Sequence, residues 1–178
     1  MASTTIDLDT ELSAVNSILG AIGQAPVTAL VYDNPEISFI YNLLRDANVD
    51  TQAEGWHFNT EKHVKYTPDT NGNILIANDV LRLDVSEGWT HRVHDVIRLY
   101  NFEDLPPVFK RFITYRACRM AATQLVANQQ LVQLLGSQEA LARAALMEYE
   151  CNQGNHSMFG FEDDTAYNTY QPWRNLRR

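Results

Sequence analysis

The stretch Gly-Trp-His-Phe-Asn at residues 55–59 marks the point at which the sequence changes from a helical to a strand-like pattern. Before it, apolar residues recur every three to four positions, as on one face of a helix. After it, from Trp56 to Asn101, short segments alternate between apolar and polar residues, as in strands with one buried face. Residues 56–101 therefore predict a small antiparallel sheet of three or four strands, inserted into a helical chain.

The strands are predicted from this alternation and from the turn residues between the segments. The Asn71-Gly72 pair predicts a hairpin turn, because two-residue hairpin loops need positive φ angles that Asn and Gly tolerate. An apolar run follows the turn directly and is expected to form the returning strand. The strand-like segments are Trp56–Phe58, His63–Tyr66, Ile74–Ile76, Leu81–Val85 and Val93–Tyr100.

Two helices are predicted before the sheet. The first begins at Asp9 or Thr10, either of which can accept backbone N–H bonds, and it ends before Gly23. The second begins with Asn34 as its cap and Pro35 in the first helical position. The apolar stripe of the second helix consists of Ile37, Ile40, Leu44 and Ala47.

Two further helices are predicted after the sheet. The third begins at Pro106–Pro107 and is apolar on several faces, which is typical of the central helix of a bundle. Its bases, which require solvent or acidic partners, are Lys110, Arg111, Arg116 and Arg119. The fourth begins at Asn128 and ends at Gly154; it either runs through Gly136 or breaks there, with Ser137 as a new cap. Its predicted apolar face consists of Leu131, Leu134, Leu135, Leu141, Ala142, Ala145 and Tyr149.

The C-terminal segment has neither a helical nor a strand-like pattern, although it is rich in aromatic residues. Solvated tails are poor in such residues, so a tail of this composition is expected to dock on its own domain or on a neighbour. The candidate docking residues are Phe159, Phe161, Tyr167, Tyr170, Trp173 and Arg174.

These elements together predict a mainly α fold with an inserted β segment. Residues 1–55 and 102–154 form a discontinuous four-helix bundle. Residues 56–101 form a β subdomain between the second and third helices, and residues 155–178 form an extended docking tail. The apolar runs are all shorter than the roughly 20 residues that span a bilayer, so no membrane contact is expected.

The charge argues against nucleic-acid binding as the source of affinity. The chain has 14 Lys and Arg against 22 Asp and Glu, a net charge of −8, whereas nucleic-acid binders carry an excess of bases. Residues 1–55 hold eight acidic residues and one basic residue, so most of the excess lies in the first third of the chain.

The residue patterns predict neither a catalytic nor a metal site. His91 and His94 form an HxxH pair, but positions three apart in a strand face opposite sides. The nucleophile elbow and the phosphate-binding glycine loop are both missing from the sequence. Cys118 lies among apolar neighbours, where a thiol is inert. An interaction protein without catalytic residues, metal or cofactor is therefore expected, although a glycan hydrolase with two suitably spaced acids and a helical scaffold protein stay open as alternatives.

Several segments of the chain resemble segments of one known family, and they occur in the same order as in that family. These segments are similar to segments of the tail tubular protein A family. They are Glu11–Asn16, Ile18-Leu19, Ile22-Gly23, Pro26-Val27, the Gly55–Asn59 junction, Val96–Leu99 followed by Leu105-Pro106, and Met147–Glu150. Members of that family are the head-to-tail adaptors of short-tailed, podovirus-type phages. The resemblance implies an α-helical bundle with an inserted β segment and no catalysis. The two alternatives are then a virion-associated glycan hydrolase and a non-viral helical scaffold.

The same resemblance implies a place and partners. It implies twelve copies in a ring between the portal protein and a nozzle of the tail tubular protein B type, in a virion tail assembled in the host cytoplasm. DNA would pass transiently and without sequence specificity through the ring. The tail residues are then expected to contact the portal, and the sheet to face the nozzle. Because a channel that lets DNA slide should not attract it, Asp46, Asp50 and Glu54 are expected to line the channel.

Overall fold

The computed structural model describes residues 10–85 and 93–153. The described part of the chain contains four α-helices and one three-stranded antiparallel sheet, so the predicted mainly α fold with an inserted sheet is confirmed. The elements are α1 Glu11–Ala21, α2 Pro35–Gln52, β1 Thr60–Lys65, β2 Val80–Val85, β3 Val93–Arg98, α3 Pro107–Ala121 and α4 Gln129–Gln153. A 3-10 turn at Phe102–Asp104 precedes α3, and a π-helical turn at Ala122–Val126 follows it. No helix in the described ranges is both long and apolar enough to cross a membrane.

The helices begin at the predicted caps. The Thr10 hydroxyl oxygen accepts a hydrogen bond from the Ser13 N–H at 3.3 Å. The side-chain oxygen of Asn34, Oδ1, accepts one from the Glu36 N–H at 3.0 Å. Asn128 accepts bonds from two backbone N–H groups in the first turn of α4. Each cap satisfies donors that a helix start otherwise leaves unpaired, which stabilises the helix by about 1 kcal/mol.

Helix α4 is continuous, so the alternative break at Gly136 is wrong. The Ser137 hydroxyl donates to the Leu134 carbonyl at 2.7 Å within the helix instead of capping a new one. Gly136 faces α3, where an added Cβ would meet the Arg119 Cδ at 3.8 Å. Packing on α3 offsets the intrinsic cost of about 1 kcal/mol that a glycine brings to a helix interior.

The sheet differs from the predicted hairpin order. Its strand order is β1-β3-β2, and β3 pairs antiparallel with both neighbours. The turn at Asn71-Gly72 does form, with Gly72 at a φ of +83°, but β1, which precedes the turn, pairs with β3 and not with the segment directly after the turn. Ile74–Ile76 lies outside the sheet, in the loop between β1 and β2.

Trp56–Phe58 is a turn and not the predicted strand. The Asn59 N–H donates to the Trp56 carbonyl at 3.1 Å, which closes the turn. The Trp56 indole Nε1 donates to the Thr51 carbonyl at 2.6 Å, which holds the ring under the end of α2. The alternation of apolar and polar residues here reflects two aromatic rings that enter the bundle from a turn.

The core is centred on α3, as its several apolar faces predicted. Helices α1, α2 and α4 all pack on it, and its Phe109, Phe112 and Ile113 are fully or almost fully buried. The predicted stripe of α2 is confirmed, since Ile37, Ile40, Leu44 and Ala47 are all buried.

The predicted apolar face of α4 is wrong in part. Leu134 and Leu141 are 58% and 72% exposed, while the side chains that α4 buries are Leu135, Ala142 and Leu146. The buried residues are spaced seven and four apart, which matches one contact line along α3. Leu134 and Leu141 lie on the neighbouring line of the same helix, together with Ala145, which is exposed as well.

Candidate assembly surfaces

The sheet is attached to the bundle through one buried side chain, that of Asn59, which is 1% exposed. Its Nδ2 donates to the Gln52 carbonyl at 2.9 Å and to the Arg98 carbonyl at 3.0 Å. Its Oδ1 accepts from the Trp56 N–H at 2.7 Å. Asn59 therefore ties together the end of α2, the turn and the end of β3.

Gln52 and Gly55 complete this junction. The Gln52 side chain accepts from the Tyr100 N–H at 2.8 Å and donates to the Tyr100 carbonyl at 2.9 Å, as a neighbouring strand would. Gly55 has a φ of +82°, and a Cβ there would lie 2.6 Å from the Ile97 Cδ1. Only glycine meets both requirements, so the junction at residues 55–59 holds the sheet at a fixed place on the bundle.

Aromatic rings extend the junction into the core. The Phe109 ring meets those of Trp56, Phe58 and Tyr149 edge-on, with centroids 5.2, 4.7 and 6.2 Å away. Such edge-to-face pairs add about 0.5–1.5 kcal/mol to the apolar burial itself. The turn, α3 and α4 are thereby packed around one ring.

The acids predicted for the channel have different surroundings. An Asp50 carboxylate oxygen lies 3.1 Å from an Arg116 nitrogen, and a Glu54 oxygen lies 2.7 Å from an Arg143 nitrogen. Asp46 is exposed and belongs to none of the ion pairs within residues 10–85 and 93–153. Two of the three acids therefore balance bases of α3 and α4.

Two of the four bases of α3, Arg116 and Arg119, have acidic partners. Arg116 reaches Asp50, and Arg119 forms a two-pronged ion pair with Glu139 of α4. The hydrogen bonds that Arg119 donates to Glu139 raise the pKa of Arg119, and those that Arg143 donates to Glu54 raise the pKa of Arg143. These pairs join α2, α3 and α4 around the outside of the core.

The loop between β1 and β2 presents an apolar tip. Ile74, Leu75 and Ile76 are 38%, 93% and 47% exposed. The preceding turn is held by Asp69, whose side chain accepts from the backbone N–H groups of Asn71 and Asn73 at 2.8 and 2.9 Å. Three consecutive exposed apolar residues on an ordered turn are typical of a protein contact.

The Cys118 thiol is inert, and the Glu150 carboxylate is engaged in a hydrogen bond. Cys118 is buried, and this burial raises the pKa of its thiol to about 12, so it is protonated at neutral pH. Glu150 accepts a hydrogen bond from the His57 backbone N–H. Residues 10–85 and 93–153 contain no cluster of three metal-binding side chains. His91 lies outside the described residues, so the HxxH pair stays a sequence observation.

A family model described as tail tubular protein matches residues 12–100 and 91–156. The chain belongs to the tail tubular protein family. Comparison with curated proteins gives no match. The family match spans the bundle, the junction and the inserted sheet, so this tail tubular protein is a structural component of a phage tail. The virion interpretation thus prevails over the non-viral helical scaffold.

The predicted docking tail, residues 155–178, lies outside the described residues, and all but its first two residues lie outside the family match. The family match ends at residue 156, and the described structure ends at residue 153. The predicted portal-docking residues outside the described structure are Phe159, Phe161, Tyr167, Tyr170, Trp173 and Arg174. Their role therefore stays a prediction. The exposed loop at Ile74–Ile76 was missed by the sequence analysis, because an apolar run has the same composition in a strand and in a contact loop.

Proposed function

We propose that this tail tubular protein is the A-type adaptor, which forms a ring of twelve copies between the portal and the nozzle of a phage tail. The observation that carries the proposal is the family match across residues 12–156, which includes both the helical bundle and the sheet. The A-type segments occur in the order of that family, which adds support. One of them, Gly55–Asn59, forms the hydrogen-bonded junction between the bundle and the sheet.

The rigid junction suits an adaptor with a partner at each end. A ring subunit that joins two assemblies must transmit force from one to the other without bending. Asn59, Gln52 and Gly55 fix the sheet on the bundle, so a load on the sheet is passed to α2 and α3. In this proposal the C-terminal tail contacts the portal, and the exposed tip Ile74–Ile76 contacts the nozzle.

Assembly with purified portal and nozzle proteins tests this function. We expect the protein to form a ring on the portal, and the nozzle to bind only after that ring has formed. Leu75→Asp should keep portal binding and lose nozzle binding, because it places a charge in an apolar contact. Electron microscopy and native mass spectrometry of each mixture report the ring and its copy number.

The matched control is Leu75→Met, which keeps an apolar side chain of similar volume and should bind the nozzle normally. A wild-type protein that ignores the portal would contradict the adaptor function. A Leu75→Asp variant that binds the nozzle as the wild type does would remove only the loop from the proposal.

The channel acids can be tested one at a time. In the proposed ring, Asp46→Lys in every copy should slow DNA ejection by about threefold or more, because an exposed lysine attracts the passing phosphates. The delay should shrink at high salt, which screens exposed charges. Asp50 and Glu54 are poor test positions, since their reversal leaves Arg116 and Arg143 facing a like charge.

Single-particle ejection from assembled virions measures this effect. Asp46→Asn is the matched control, because it removes the charge without adding an attractive one, and it should change the rate less. Ejection of Asp46→Lys particles at the wild-type rate would exclude Asp46 from the channel wall.

A further inference from the structure

A long groove runs between α3 and α4. It consists of two adjoining cavities of about 610 and 490 Å³. Pro107, Arg111, Tyr115 and Gln138 line both cavities, so the two form one continuous depression, here named the α3–α4 groove. Its larger part reaches α1.

The α4 side of the groove is apolar and exposed. Leu134 lines the larger cavity, and Leu141 and Ala145 line the smaller one. These residues are spaced seven and four apart, so they form a stripe parallel to the buried line of the same helix. A second apolar stripe that remains exposed is the pattern of a helix that packs on a partner as well as on its own core.

The α3 side of the groove is basic. Lys110 and Arg111 both line it. Within residues 10–85 and 93–153, neither side chain belongs to an ion pair, whereas Arg116, Arg119 and Arg143 all have acidic partners. Arg111 instead lies over the Tyr115 ring, 5.8 Å from its centroid. The groove therefore combines an apolar wall with two positive charges that the described chain does not neutralise.

A surface of the opposite charge lies at the start of α2. Val31, Tyr32 and Phe39 are 51%, 54% and 37% exposed, and the acids Asp33 and Glu36 lie among them. We name these five residues the α2 acidic patch. Neither acid belongs to an ion pair in the part of the chain that the structure describes. The Tyr32 ring packs edge-on against Tyr41 with centroids 5.1 Å apart, which holds the patch on α2.

We infer that the α3–α4 groove of one copy receives the α2 acidic patch of a second copy. Both surfaces have exposed apolar side chains, and their unpaired charges are opposite, so each supplies what the other lacks. Because the two surfaces are different parts of one chain, the contact is heterologous, and repeated contacts of this kind close into a ring when the rotation permits. The inference rests on the proposed function, because it names the contact between neighbouring subunits of the proposed ring.

A charge exchange tests the contact. Lys110→Glu with Arg111→Glu should weaken ring formation on the portal by about tenfold or more, and Asp33→Lys with Glu36→Lys should do the same. Mixing the two variants should restore rings in which the partners alternate, because each reversed surface then faces its complement. Native mass spectrometry measures the species, and circular dichroism with urea unfolding confirms that each variant is folded.

Cysteine cross-linking gives an independent measurement. In a Cys151→Ser background, a Phe39→Cys chain mixed with a Leu141→Cys chain should form a disulfide-linked pair during assembly. The matched control places the second cysteine at position 147 instead of position 141. Met147 is also exposed, but it lies six positions further along α4 and therefore on another face. Met147→Cys should not cross-link to Phe39→Cys.

The outcomes separate this contact from the proposed function. Rings that form normally from the Lys110→Glu, Arg111→Glu variant would overturn the contact and leave the adaptor function standing. A loss of rings that the complementary variant does not restore would also overturn it, since another segment of the chain or a different protein would then occupy the groove. A wild-type chain that never assembles on the portal would instead contradict the adaptor function.

Discussion

Asn59→Ala is expected to lower the free energy of unfolding by about 2–4 kcal/mol. The amide makes three bonds in a site that is almost closed to water. Its removal leaves the Trp56 N–H and the Arg98 carbonyl without this partner, and each buried polar group left unpaired costs about 1–3 kcal/mol. Urea unfolding followed by circular dichroism measures the change.

The position of the sheet should be affected as well as the stability. Because Asn59 joins α2 to β3, hydrogen exchange in β3 should accelerate more than exchange in α1. Asn42→Ala is the matched control, because Asn42 is exposed on α2 and its replacement should change stability by less than about 0.5 kcal/mol. A loss below about 1 kcal/mol at Asn59 would mean that the junction is held mainly by the aromatic rings.

The helices could be predicted because their signals are local. The caps at Thr10, Asn34 and Asn128 each act on N–H groups two or three residues away, so the signal and its effect lie within one turn. The pattern could not decide between a continuous and a broken α4, because that depends on whether packing offsets the cost of Gly136. Contact with α3 makes α4 continuous. Because α3 is a different helix, this contact lies beyond the local sequence around Gly136.

The order of the strands could not be read in the same way. The Asn71-Gly72 pair gives a correct local turn, but which strands pair depends on chain segments much further apart. β1 pairs with β3, although β2 and its flanking loops lie between these two strands in the chain. Local turn chemistry therefore predicted a hairpin that long-range pairing replaced, and Ile74–Ile76 remained exposed as a result.

The candidate sites show the same limit. The sequence shows which residues are acidic and which are basic, but it does not show that Asp50 of α2 meets Arg116 of α3, or that Glu54 meets Arg143 of α4. Likewise, the apolar residues of α4 form two adjacent lines, and periodicity cannot tell which of them faces α3. The fold resolves this ambiguity, and the line that it leaves exposed becomes a wall of the α3–α4 groove.

Removal of the tail after Gly154 is expected to abolish portal binding and leave the bundle folded. The last fully buried residue of the described core is Leu146, which precedes the cut, so the four-helix packing is retained. The removed segment carries five aromatic residues and Arg174, which are the side-chain types that dominate binding energy at protein interfaces. A pull-down with purified portal measures the loss, and thermal unfolding checks the fold.

Truncation alone does not distinguish recognition by these side chains from a tether of sufficient length. The decisive comparison is a full-length chain in which the aromatic residues of the tail are changed to alanine, since this variant keeps the length and the charge. The changed residues are Phe159, Phe161, Tyr167, Tyr170 and Trp173. If the rings anchor the adaptor, this variant should lose portal binding as completely as the truncation does, because buried aromatic anchors carry a contact that the surrounding residues only shield from water. Undiminished binding by both variants would place the portal contact on the bundle, where the exposed acids of α2 and the basic groove would then be the surfaces left to test.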